Sequence, residues 1–255
     1  MTTAPRLDGR VALITGTGGG QGRAAALHFA GQGALIVGCD LDAESAEETA
    51  AAVKATGGQM TTNAPVDLGD SAAARAWVER AAAAHGRIDI VYNNASATRF
   101  GPVDMLSDDD WRFTMRNEID LVFHVTRAAW PHLAERGGVI INVASMAGHI
   151  GSRTVPMLAH ATAKGAILAM TRQLAAEGAP HGIRAVTISP GIIETPGTTA
   201  QLTDPAVRTA LIAQNLLPRL GLPEDVVGLA AFLASDDAAY ITGADFVVDG
   251  GMSAI

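Results

Sequence analysis

Cysteine is nearly absent: Cys39 is the only one in 255 residues, so no internal disulfide can staple the chain. It sits in an apolar run, where a buried, inert thiol is expected, and the reading is a reducing, cytoplasmic setting. Charge is also sparse, with 17% charged residues, and 26 acidic against 18 basic side chains leave a net charge of −8. These charges form no block of one sign and no lysine/arginine cluster, so the footprint of a nucleic-acid partner is missing. No apolar run reaches membrane-spanning length, and the opening MTTAPRLDGR lacks the apolar core of an export signal, so no membrane partner is expected. No histidine, cysteine or carboxylate spacing marks a metal site. Tyrosine occurs only twice, at Tyr92 and Tyr240, a scarcity that bears on the chemistry of the site.

What is present is core-forming material, 48% hydrophobic, enough for one α/β domain spanning residues 1–255. Short β-branched runs, at 11–15, 34–39, 88–92, 139–143, 183–188 and 246–248, are apolar on both faces, the mark of strands in a covered parallel sheet. A weaker strand candidate covers 60–66. Ala-rich stretches at 20–32, 43–56, 71–85, 108–134 and 159–178 read as crossover helices. The alternation implies a three-layer α/β/α, doubly wound Rossmann-like sheet of about seven strands. Only 192–218, bounded by prolines, breaks the pattern, and reads as a substrate flap or an ordinary connection.

After the first strand comes TGTGGGQG, Thr15 to Gly22, and then a helix opens. Gly16, Gly20 and Gly22 suit a tight turn, close approach to a pyrophosphate and helix-on-strand packing, with free helix N–H groups for the phosphates. Asp40 ends the second strand, where a carboxylate can accept hydrogen bonds from ribose hydroxyls and repel a 2′-phosphate. Leu41 follows it, and no cation lies in the turn before Arg23, so NAD is expected rather than NADP. A helix cap is the other reading of Asp40.

At this point the sequence resembles the short-chain dehydrogenase/reductase family, single-domain type, from Leu7 to the carboxyl terminus. TGTGGGQG is similar to that family's cofactor motif, which implies contacts from Thr17 and Gln21 as well as the glycines. VDL, with Asp67 and Leu68, resembles its adenine contact. Asn93, Asn94 and Ala95 resemble its NNAG, with Ser96 in place of the glycine. Asn117 in MRNEIDLVF and Ser145 in INVASMAG resemble its catalytic asparagine and serine. SPGIIETP resembles the segment that faces the nicotinamide through Pro190, Gly191, Ile193 and Thr195, and GADFVVDGG resembles the family's ending. The resemblance implies an NAD-dependent oxidoreductase interconverting a secondary alcohol and a ketone, on a small, rather apolar substrate. It also implies a homotetramer or homodimer paired through the fourth and fifth helices, whose Trp111, Phe113, Val122 and Trp130 exceed one core face.

The family's Tyr-x-x-x-Lys reads here as His160-Ala161-Thr162-Ala163-Lys164, and neither tyrosine has a lysine four residues on. Imidazole can carry the same proton as the family's phenol. A positive charge at Lys164 suits a base and handicaps an acid, so ketone reduction is expected to favour acidic solution. The shorter side chain calls for a bridging water to the substrate oxygen. Other readings stay open: a dehydrogenase disabled by a tyrosine-to-histidine change, natural or engineered; a non-redox isomerase, cyclase or lyase; or an NAD-binding sensor. Ser145 also suits a helix cap, His149 reads as a pocket wall, and Met146, Met157, Phe100 and Ile192 suit an apolar lining or the core.

Overall fold

In the computed structural model, which describes residues 6–199 and 203–254, successive side chains along each strand point to opposite faces of one sheet. In β1 (Val11–Thr15), Ala12 and Ile14 join the core on one face while Val11 and Leu13 join the other. Six further strands, β2 (Leu35–Cys39), β3 (Gln59–Thr62), β4 (Ile90–Asn93), β5 (Gly138–Val143), β6 (Ile183–Pro190) and β7 (Asp245–Val248), complete a sheet ordered β3-β2-β1-β4-β5-β6-β7. Every pairing is parallel, as buried, non-alternating strands require.

Helices α1 (Gly20–Gly31) and α2 (Ala43–Ala55) cover one face, where Phe29 and Val53 are fully buried. The other face is covered by α3 (Ser71–His85), α5 (Leu121–Ala134) and α6 (Leu158–Gly178), with Trp77, Val125 and Ile167 buried in its core, while α4 (Asp108–Met115) packs beside α6. After α7 (Pro196–Thr199) and α8 (Pro205–Ile212) comes α9 (Pro223–Ala234), a helix the alternation did not anticipate. Its Val226, Val227, Ala230 and Leu233 are buried in the same cluster as Phe29. The local signals are there: Pro223 in the first turn, Glu224 and Asp225 beside it, and apolar positions at helical spacing.

Two expected elements differ. The strand expected at 60–66 ends at Thr62, since Pro65 has no N–H to continue a ladder. The helix expected over 108–134 is interrupted by a π-helical segment, Arg116–Asp120, whose wider turn shifts the facing of the residues after it. The insert at 192–218 is tied down: Glu194 pairs with Arg208, and the Leu217 N–H donates to the Gly250 carbonyl at 2.9 Å. Residues 200–202 of that insert lie outside the described residues.

Candidate active site

The strand order reverses beside β1, between β2 and β4, and a crevice at the carboxyl ends of the strands forms at such a switch point. Here it is a cavity of about 540 Å³. Its floor is the glycine turn, where Gly16 and Gly20 have positive φ of 75° and 51°. A Cβ at Gly22 would stand 1.9 Å from the Gly16 carbonyl oxygen, so that glycine packs α1 against the turn and lies beneath the cavity. Side chains cap α2, α3 and α4 (Asp42, Asp70 and Ser107), whereas α1, opening from Gly19, has no side-chain cap. Its first N–H groups therefore remain available to an anion at the cavity floor.

Asp40 stands on the wall with Leu41. Its carboxylate accepts from the Gly18 N–H at 2.7 Å and the Asp42 N–H at 3.0 Å, so it shapes the turn while keeping lone pairs for a ligand. Asp67 and Leu68 continue this wall. Asp67 accepts from the Arg116 guanidinium at 2.6 Å, and that hydrogen bond holds its carboxyl below the usual aspartate value against a modest opposing effect of burial. Asn94 and Ala95 are on the wall as well. The Asn94 amide donates to the Thr15 carbonyl at 3.0 Å, and the Thr15 hydroxyl accepts from the backbone N–H groups of Asn94 and Ala95, joining the end of β4 to β1. Neighbouring Asn93 is structural, its amide donating to Thr126 and Asn142.

At the far end Ser145, His160 and Lys164 line the same cavity, together with Pro190, Gly191 and Thr195. Ser145 also caps the turn after β5, its hydroxyl accepting from the Ala147 N–H at 3.1 Å, so both roles considered for it are compatible. Lys164 is nearly buried, with its ammonium donating to the Val143 carbonyl at 3.1 Å. The His160 ring stands edge-on to Phe100, with centroids 5.8 Å apart.

The residue that organises this end is Glu118, which no sequence motif singles out beside its neighbour Asn117. Its side chain is 0% exposed. The His160 Nδ1 lies 2.9 and 3.0 Å from its two oxygens, the Ser96 hydroxyl donates to it at 2.5 Å, and the Lys164 ammonium stands 3.7 Å away. Burial opposes its ionisation, but the Lys164 ammonium and the hydrogen bonds from His160 and Ser96 outweigh burial and hold its carboxyl below the ordinary glutamate value. His160 thus meets a carboxylate, and the Lys164 ammonium stands beside that same carboxylate, a group absent from the expectation built on Lys164 alone. Asn117 reaches the cavity wall, yet its amide donates back to the Phe113 carbonyl at 2.8 Å. Of the two neighbours in the π-helical segment, the side chain that meets His160 and Lys164 is that of Glu118.

Three residues expected at the cofactor lie off this wall. Thr17 is buried below it, its hydroxyl donating to the Cys39 carbonyl at 3.4 Å. Gly22 packs underneath, and Ile193 is buried at a smaller cavity beside the 192–218 insert. Of the apolar candidates, Phe100 lines the main cavity and Ile192 the smaller one. His149 is turned away, with its Nε2 2.8 Å from the Asp245 carboxylate, joining the turn after β5 to β7. Neither tyrosine is at hand: Tyr92 is fully buried in the core and Tyr240 fully exposed. Among the described residues no cluster of histidine, cysteine and carboxylate is arranged for a metal.

A family model described as enoyl-(acyl carrier protein) reductase matches residues 16–253. Relatives include the meso-2,3-butanediol dehydrogenase of Serratia marcescens, 35% identical over 98% of this chain and 96% of that protein. Another is the D-threitol dehydrogenase of Mycolicibacterium smegmatis, 38% identical over 96% of this chain and 94% of its own. A crystal structure of a short-chain type dehydrogenase/reductase from Mycobacterium marinum superposes with a TM-score of 0.94 at 29% identity, covering 99% of this chain and 98% of that one.

Proposed function

Because the chain belongs to the short-chain dehydrogenase/reductase family, we propose that it is an NAD(H)-dependent enzyme that interconverts a small, rather apolar secondary alcohol and its ketone, with His160 carrying the proton. The observation that carries this reading is the placement of His160 on the wall of the cavity whose floor is the glycine turn, with its Nε2 free of any hydrogen-bond partner among the described residues.

The residues present fit a nicotinamide adenine dinucleotide. The uncapped start of α1 offers N–H groups to its phosphates. A Cβ at Gly18 would meet the Asp40 carboxylate at 2.9 Å, so a side chain there would push aside the group that would hold the ribose. Bound there, the nicotinamide supplies a hydride acceptor or donor. The Ser145 hydroxyl would orient the substrate oxygen, and Lys164, through its ammonium, would hold the nicotinamide ribose while balancing the buried Glu118. The preference for NAD over NADP rests on Asp40, with no arginine among the described residues lining the cavity. Replacing Asp40 by serine is expected to shift the NAD to NADP ratio of kcat/KM toward NADP by about 10- to 100-fold, the size of a charge-assisted hydrogen bond plus relieved repulsion. Kinetics with both cofactors read this directly, and an unchanged ratio would remove Asp40 from cofactor choice.

Self-association as a homotetramer or homodimer belongs to the same reading, supported by Phe123, which is half-exposed on α5. A cytoplasmic setting accords with the buried, unpaired Cys39, and among the described residues no helix is long and apolar enough to cross a membrane.

The test is NADH formation from NAD and a panel of short secondary alcohols and diols, after NADH binding has been established by fluorescence. Turnover is expected. NADH binding without hydride exchange on any member of the panel would overturn the reading in favour of a non-redox or sensing role.

A further inference from the structure

We infer that Glu118 is the positioning residue that sets the working tautomer of His160, so that its Nε2 meets the substrate as a bare proton acceptor. The inference rests on the proposed reaction for its purpose, but its geometry stands on its own. A carboxylate is an acceptor only, and a neutral imidazole carries one hydrogen. With both Glu118 oxygens within hydrogen-bond distance of Nδ1, that hydrogen sits on Nδ1, which leaves the lone pair on Nε2. No other protein group competes for Nε2 among the described residues, and the edge contact with Phe100 limits rotation of the ring.

Glu118 is itself held from two further sides. Ser96 follows β4 and donates its hydroxyl, while Lys164, one helical turn beyond His160 on α6, supplies the balancing charge. With its side chain fully buried, this carboxylate gains nothing from water, and a buried charge persists only where such partners hold it. The charged or titratable groups that face it are therefore His160 and Lys164. Its position in the π-helical segment accounts for the aim: Asn117 reaches the cavity wall with its amide folded back on the Phe113 carbonyl, and Glu118 lies behind that wall against His160 and Lys164.

The proton step is set by this arrangement. As the alcohol is oxidised, its O–H bond breaks and an N–H bond forms at Nε2, with one bridging water relaying the proton across the gap left by the shorter side chain. A bound oxidised nicotinamide would accept the carbon's hydrogen with its electron pair as hydride, so that the residues of this chain handle only the proton. Nδ1 keeps its hydrogen throughout, and the positive charge created on the ring faces the Glu118 carboxylate. In ketone reduction each transfer runs in reverse.

Glutamine at this position would keep the shape yet offer its own N–H to Nδ1, favouring the Nε2–H tautomer, which accepts no proton at the substrate. The first readout needs no turnover: nitrogen-15 spectra of the histidine rings in the cofactor-free protein, in alkaline solution, with His160 assigned by its loss in His160→Gln. Expected are a protonated Nδ1 and an unprotonated Nε2 for His160, reversed in Glu118→Gln. The second is kinetic. Glu118→Gln is expected to lower kcat by about 10²- to 10⁴-fold, the cost of a wrong tautomer in a comparable dyad, with NADH affinity and KM changed only a few-fold, and Glu118→Asp regaining part of the rate. A wild-type His160 with its hydrogen on Nε2 overturns the inference even if the enzyme turns over alcohols and even if Glu118→Gln does not fold. The expected tautomer in a protein that oxidises no alcohol upholds the placement of Glu118 and overturns the proposed reaction instead.

Discussion

Replacement of His160 by alanine is expected to lower kcat for alcohol oxidation by about 10²- to 10⁴-fold, the usual contribution of a positioned acid or base. Affinity for NADH should stay within a few-fold of the parent. The two effects separate because the ring touches Glu118 and Phe100, whereas the glycine turn and Asp40 lie at the other end of the cavity. Folding should survive, since the vacated carboxylate keeps the Ser96 hydroxyl and the Lys164 ammonium. The measurement is a comparison of kcat across pH with NADH titration of the same preparations. An alanine variant with the parental rate and pH profile would show that His160 carries no proton. Tyrosine at the same position adds a second arm, because a phenol would carry the proton with a different pH dependence and without an Nδ1 for Glu118 to hold.

Lys164→Met should have the largest effect on stability. Its ammonium is nearly buried and lies between the Val143 carbonyl and Glu118. Removing one partner of a buried ion pair leaves the other charge uncompensated, which costs about 3–5 kcal/mol. In a chain of this size each kcal/mol lowers Tm by about 2–4 °C, so a fall of roughly 6–20 °C is expected by calorimetry near neutral pH. The pH dependence has a definite sign. In the parent, the folded-state pKa of Glu118 lies below its ordinary value of 4.5. Its contribution is therefore complete above that ordinary value and is lost as pH falls through the depressed one. In Lys164→Met the first of the effects that lower it is gone while burial remains, so the folded value moves up and the carboxylate contributes less to stability at neutral pH, a difference that fades once it is protonated. The gap in Tm between parent and variant should thus narrow as the solution is acidified toward the ordinary glutamate range. Adding Glu118→Gln to Lys164→Met should recover a large part of the loss at neutral pH, since the orphaned charge is gone. A gap that stayed constant with pH, or a double variant no more stable than the single, would show that the lysine acts by packing alone.

Much of this molecule is legible in linear order because the relevant physics is local. Buried parallel strands read as apolar runs, and the glycine turn announces itself between a strand and a helix. Asp40 is marked by its place at the end of β2, and the His160 to Lys164 spacing is one turn of α6. Helix α9 is also legible, from its proline, its acidic first turn and its apolar spacing, although the alternation of the earlier elements does not call for it.

Glu118 is not legible in that way. It lies 22 residues from Ser96 and 42 from His160, and no local pattern distinguishes a carboxylate buried among three partners from one facing solvent. What places it is a π-helical turn inside an otherwise regular helix, which sets Glu118 rather than Asn117 against His160 and Lys164. The same distinction separates Thr17, Gly22 and Ile193, which accompany the cofactor-motif residues in sequence but lie beneath or beside the cavity. The sheet, the glycine turn and the presence of His160 before Lys164 are written into the linear chain, because each depends on neighbours within a turn or a strand. The groups that surround that histidine are set by the fold, because a buried charge is held by partners that the crossing of separate elements brings together.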